Sequence, residues 1–214
     1  MVASQVHLVR HGEVFNPQGV LYGRLPNYRL SELGAQMAES AAAELLTRGR
    51  PVVRVIASPL QRAQESAAPI ARAFSLALDT DERIIEPTNH FEGKRMRGQG
   101  GALRDVRNWP FLVNPLRPSW GEPFRLVADR MLAAIDDAWN SVDDGDVVLV
   151  SHQLPIWMVH RALAHERLAH DPRTRRCALS SITTVSWRGD RFEETAYSSP
   201  AAHLQGSATD VGAI

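Results

Sequence analysis

Cysteine and lysine are almost absent from this chain of 214 residues, with Cys177 the only thiol and Lys94 the only lysine. A lone cysteine rules out an intramolecular disulfide and argues against a Cys-based metal centre. Cys177 therefore reads as a packed structural thiol rather than a nucleophile. Net charge is also missing: Lys plus Arg and Asp plus Glu number 24 each. No global field draws in nucleic acid or an anionic membrane, and neither is expected as a partner. No apolar run approaches the length of a bilayer span, and no basic region followed by an apolar stretch opens the chain, so the expected location is cytoplasmic.

What remains is a composition 44% hydrophobic and 22% charged, ordinary for a globular protein and sufficient for one domain over residues 1–214. All but one of the 24 basic residues are arginines. Most suit a solvated surface, but the planar guanidinium fork also matches phosphate and carboxylate oxygens in pairs.

Short Val/Ile/Leu-rich runs predict strands at 5–10 (QVHLVR), 52–57 (VVRVIA) and 146–151 (DVVLVS). Each precedes a helical pattern. Ser31 can cap the first, in which Leu33, Met37, Ala41 and Leu45 recur every fourth residue before Gly49 ends it. Ser58 and Gln61 form a capping-box pattern for the second, with Pro59 at its first position and Pro69 able to kink it. The third runs through Pro155 into IWMVHRALAHE. Residues 181–197 read as a hairpin turning around Arg188-Gly189-Asp190. Strands alternating with helices argue an α/β protein: a three-layer sandwich with a mostly parallel central sheet and helices on both faces. Periodicity fails over about 87–125, which is expected to form a lid over the carboxyl ends of the strands. The small polar residues from about 198 to 214 are expected to be loosely ordered.

Ligands in open parallel sheets bind beyond those carboxyl ends, and all three predicted strand ends carry chemistry. The first delivers Arg10 and His11, the second leads into Arg62, and the third ends at Ser151-His152. Two guanidiniums and two imidazoles on one rim suit an anion such as phosphate. Positive charge beside an imidazole disfavours its protonation and leaves it nucleophilic. Gly12 is expected to let the backbone turn sharply behind the ring. His160, His165 and His170, five residues apart, turn about 140° from one to the next on a helix and share no metal-binding face. No metal and no other cofactor is expected.

RHGE (10–13), SPLQRA (58–63) and SHQLP (151–155), in that order, resemble the histidine phosphatase, or phosphoglycerate-mutase-like, superfamily. The resemblance implies that His11 becomes phosphohistidine while Arg10, Arg62 and His152 bind the phosphoryl oxygens. It also implies that Glu86, in RIIEPTNHFEG, protonates the leaving oxygen, with FEG (91–93) similar to the family's WEG-type signature. Asn16 matches a phosphate-contacting Asn at a spacing one residue short. Arg24, in LYGRLP, lies on the loop that faces the family's pocket, and His90, Lys94, Arg95 and Arg97 are lid candidates for a charged substrate.

ERIIEPTNHFEGKRMRG departs after ER from the mutase-type ERHYG pattern, which favours the phosphatase branch. The expectation is a metal-independent phosphomonoesterase acting on a small phosphorylated metabolite. The alternatives are 2,3-bisphosphoglycerate-dependent mutase activity and phosphate-ligand binding without turnover. Ile156-Trp157-Met158-Val159 is compatible with either a homodimer contact or a buried helix.

Overall fold

A computed structural model describes residues 2–96, 101–112 and 120–210. The three strands read from the sequence form with the expected limits: β1 (Gln5–Arg10), β2 (Val52–Ala57) and β4 (Asp146–Ser151), with a short β3 (Leu78–Thr80) between the last two in the chain. The hairpin β5 (Ile182–Arg188) and β6 (Arg191–Ser198) turns on Gly189, whose positive φ of 67° is the left-handed conformation that favours glycine. The six strands lie in the order β3-β2-β4-β1-β5-β6. β1 to β4 pair in parallel, and only β5 runs against the rest.

Helices α1 (Glu32–Thr47) and α2 (Gln61–Ala73) cover one face. There Ala41, Leu45, Ala67 and Ile70 pack on Val9, Val55, Val148 and Val150. The other face carries α3 (Phe124–Asn140) and α4 (Gln153–Leu163), where Met131, Ile135, Ile156 and Val159 meet Val6, Leu8, Val147 and Leu149. Burial on both faces explains why the central strands are continuous apolar runs rather than alternating ones. Ile156, Trp157, Met158 and Val159 are all buried within the chain, as the buried-helix alternative expects.

Local expectations fare unevenly. Ser31 caps α1 by accepting from the Gly34 N–H, and Gly49, at φ 64°, follows the last turn. For α2 the capping box does not form: the helix begins at Gln61, its cap residue Leu60 makes no side-chain bond, and Ser58 is used elsewhere. Pro69 does not break α2, which continues to Ala73 with the proline buried.

The described part of the 87–125 stretch folds against the loop after β1. Phe91, Met96 and Ala102 cluster with Leu21, whose N–H donates to the Lys94 carbonyl and whose carbonyl accepts from the Gly93 N–H. Arg97 lies outside the described residues. The segment after Ser198, expected to be loose, packs through Asp210: it forms a turn of 3₁₀ helix at Ala202–Ser207 and buries Ala201 against Met37 and Leu179.

Candidate active site

Strand register assembles the site. β1 and β4 are paired so that Arg10 stands opposite Ser151. The next residues, His11 and His152, therefore leave adjacent strands at the same level. β2 flanks β4 on its other side, and the Ser58 N–H donates to the Val150 carbonyl at 2.9 Å, which brings the start of α2 to the same rim. Arg10, His11, Arg62 and His152 are all at least 98% buried, and Glu86 is 92% buried.

The imidazoles of His11 and His152 meet edge to face with centroids 5.2 Å apart. Nδ1 of His11 donates to the Gly12 carbonyl at 2.7 Å. The lone pair is thereby left on Nε2, which faces the Nε of Arg62 at 3.3 Å. Burial, with Arg62 and Arg10 alongside, holds the His11 pKa well below the usual imidazole range, so the ring is neutral. His152 is depressed in the same way by burial, Arg62 and His11, and its Nε2 contacts the Ser58 hydroxyl at 2.7 Å. Glu86 Oε2 lies 3.6 Å from His152 Nδ1. Burial raises the Glu86 carboxyl above its ordinary range, against the opposing pull of Arg62, Arg175 and Arg10.

The guanidiniums are held from behind. Arg62 donates through Nη2 to the Gly23 carbonyl at 2.8 Å and stacks 4.7 Å from the centroid of the Tyr22 ring. Burial pushes that tyrosine's pKa up to about 12, so it stays neutral. Arg10 gives Nη1 to the Cys177 carbonyl at 2.7 Å and both Nη atoms to Asp210, at 2.8 and 2.6 Å. Two buried nitrogens at the centre, Arg10 Nε and His152 Nδ1, have no hydrogen-bond partner among the described residues. Buried polar atoms are rarely left unpaired, and both nitrogens are available to a group that enters the cluster.

Gly12 serves close approach rather than a left-handed turn. A Cβ there would lie 2.3 Å from the Gly34 carbonyl oxygen, and one on Gly34 would lie 2.0 Å from that of Glu13. The loop after β1 is thus pressed onto the first turn of α1, and the Gly12 N–H is free to donate to Ser66 at 3.0 Å.

Other expected contacts sit differently. Asn16 spends both ends of its amide on Val20, donating at 2.8 Å and accepting at 3.2 Å, so it braces its own loop. Arg24 donates from Nε to the backbone carbonyl of Glu86 at 2.5 Å and pairs with Glu122 at 3.4 Å; it supports the chain behind the acid. Lys94 reaches Asn108, and Arg95 the Gln18 carbonyl. A cavity of about 1120 Å³ opens beside the cluster, lined by Phe15, Asn16, Tyr22, Arg95, Arg173 and Asp210 among others. Among the described residues no group of three His, Cys, Asp or Glu is placed to hold a metal ion, and no helix is long and apolar enough to cross a membrane.

Sequence reading missed Ser58 as a partner of His152, Tyr22 under Arg62, and Asp210 on Arg10. Only Ser58 left a trace, as a hydroxyl beside the motif arginine. The other two owe their places to loops folding back from distant parts of the chain.

Fold and site together define an α/β protein with a buried cluster of two histidines and two arginines at the carboxyl ends of its central strands. The chain belongs to the histidine phosphatase superfamily (branch 1), whose family model matches residues 6–199. It is 53% identical over 199 residues to Rv0525 of Mycobacterium tuberculosis, covering 93% of this chain and 98% of that one. It is also 29% identical over 204 residues to the glucosyl-3-phosphoglycerate phosphatase of the same organism, covering 87% and 85%. In fold it is similar to Bacillus stearothermophilus YhfR, with a TM-score of 0.75 at 22% identity over 90% of this chain and 95% of that one. The family and these relatives include phosphatases.

Proposed function

We propose that this protein is a metal-independent phosphomonoesterase that hydrolyses a small soluble phosphate ester through a phosphohistidine on His11. One observation carries the reading: a neutral His11 keeps its Nε2 lone pair on the Arg62 side of a buried cluster, with the His152 ring centred 5.2 Å away and Arg10 alongside. In the first step Nε2 forms a bond to phosphorus while the bond from phosphorus to the leaving oxygen breaks. Glu86 gives its proton to that oxygen. Arg10, Arg62 and His152 stabilise the charge spread over the equatorial oxygens, a task for which positive protein groups suffice. In the second step water attacks the phosphohistidine, the Glu86 carboxylate takes the water's proton, and inorganic phosphate leaves with His11 restored. The likeness to glucosyl-3-phosphoglycerate phosphatase supports hydrolysis of a phosphorylated metabolite.

p-Nitrophenyl phosphate in excess EDTA provides the test. Wild type is expected to release phosphate and His11→Ala to lose on the order of 10³-fold or more of kcat. No release by wild type, or undiminished release by the variant, overturns the reading. A coupled mutase assay with and without 2,3-bisphosphoglycerate detects transfer instead of hydrolysis.

A further inference from the structure

Arg175 is a half-buried cation that the phosphoryl cluster does not account for. Its neighbours Arg173 and Arg176 each pair with a carboxylate, Asp171 and Glu194. Arg175 pairs with none among the described residues and is held by neutral acceptors. Its Nε donates to Nε2 of His170 at 2.9 Å, and its Nη1 to Oε1 of Gln153 at 3.2 Å. His170 can accept there because its Nδ1–H is committed to the Leu168 carbonyl at 2.7 Å. Burial lowers the His170 pKa to about 4, so no second positive charge competes. Arg175 is itself lowered to about 10, by burial first, and remains a cation at neutral pH.

Its location gives this uncompensated charge a use. Gln153 directly follows His152, and its amide points to the Cys177 carbonyl that also receives Arg10, at 3.5 and 2.7 Å. Arg175 is thus tied to the residue after His152, whose Nδ1 lies 3.6 Å from Glu86 Oε2, and joins the cluster on that side. Glu86 marks the leaving-group side in the proposed mechanism. Nη2 of Arg175 has no protein partner among the described residues and is not sealed from solvent.

We propose that Arg175 binds a second anionic group carried by the leaving alcohol, so that the substrate is an alcohol phosphate bearing a carboxylate or a further phosphate. The inference rests on the phosphatase reading and adds a specificity residue to it. The oriented but unpaired guanidinium is the feature a monoanionic leaving-group partner would complete.

The test measures competitive inhibition constants against p-nitrophenyl phosphate hydrolysis, so that every compound gives a value whether or not it turns over. Two matched pairs separate the sources of the second anion: 3-phosphoglycerate against glycerol 3-phosphate for a carboxylate, and fructose 1,6-bisphosphate against fructose 6-phosphate for a phosphate. Wild type is expected to favour the doubly anionic member of at least one pair by tenfold or more. Arg175→Gln should erase that ratio, and Arg175→Lys should restore part of it. Because each ratio is taken within one variant, general damage to the site cancels. Equal affinities in both pairs, or a ratio unmoved by Arg175→Gln, overturn the inference while leaving the phosphatase reading intact. Failure of wild type to hydrolyse p-nitrophenyl phosphate removes that reading and this inference with it.

Discussion

His11 and Glu86 are both buried, and burial drives their pKa values toward each other from opposite sides. The imidazole falls well below its ordinary range and the carboxyl rises above its own. The proposed first step needs His11 unprotonated and Glu86 protonated. Its acid limb therefore follows the lowered histidine and its alkaline limb the raised glutamate, which gives a bell-shaped kcat/KM displaced to acidic pH. Glu86→Gln is expected to remove the alkaline limb and to slow alkyl phosphates by on the order of 10²–10⁴-fold, with a smaller effect on nitrophenyl phosphate. An equal loss on both substrates would take Glu86 out of the acid role. At this scale Arg10, His11 and His152 were legible because each stands at the end of a strand whose apolar run is plain, and Arg62 because it opens the helix after such a strand. Arg175 was not, since nothing in RTRRCALS distinguishes the arginine without a carboxylate from its two paired neighbours.

Among the elements, β1 and β4 matter most, because their pairing sets the two histidines level. At the far end of that pair, buried Asp146 receives Nε and Nη2 of Arg50, at 2.7 and 2.9 Å, and lies 3.2 Å from Nε2 of buried His7. Burial works against the Asp146 carboxylate, yet the hydrogen bonds from His7 and Arg50 outweigh it and hold its pKa below the ordinary value. A depressed folded-state pKa adds stability above the unfolded value, near 3.9, that is lost as pH falls through the folded value. Asp146→Asn should cost about 1–3 kcal/mol at neutral pH, read from urea midpoints. The gap between variant and wild type should close below about pH 4; a gap independent of pH would mean the carboxylate's charge contributes nothing. The strands carrying this network were readable to the residue because burial on both faces leaves them uniformly apolar. The start of α2 was not. Ser58 fits a cap by spacing, but the helix begins only at Gln61; the Ser58 hydroxyl contacts the buried His152 imidazole and accepts from the Leu60 N–H at 3.4 Å, before the first helical residue.

On the scale of the whole molecule, the segment after β6 returns to the carboxyl end of β1. Ala201 and Leu204 anchor it beside Met37, the Thr209 N–H donates to Glu13 at 2.6 Å, and Asp210 closes on Arg10. Composition hid this, since small polar residues around two or three apolar anchors read as a loose tail, and one aspartate 200 positions from its partner leaves no local pattern. The contact bears directly on the anion site. Asp210 takes the Nη edge of Arg10, and the buried Nε is without a partner among the described residues. A phosphoryl group arriving there shares a guanidinium with a carboxylate, and two negative charges some 7 Å apart at an effective dielectric near 20 repel by about 2 kcal/mol per unit charge. Asp210 is 38% exposed, and solvent screening reduces that figure. Asp210→Asn keeps an oxygen for one guanidinium bond and removes the charge. Inorganic phosphate and vanadate should then inhibit roughly three- to tenfold more tightly, with the gain shrinking as salt is raised. Weaker inhibition in the variant would reverse the assignment: the carboxylate would then act by holding Arg10 in place, and its contribution to orientation would exceed its repulsion of the anion.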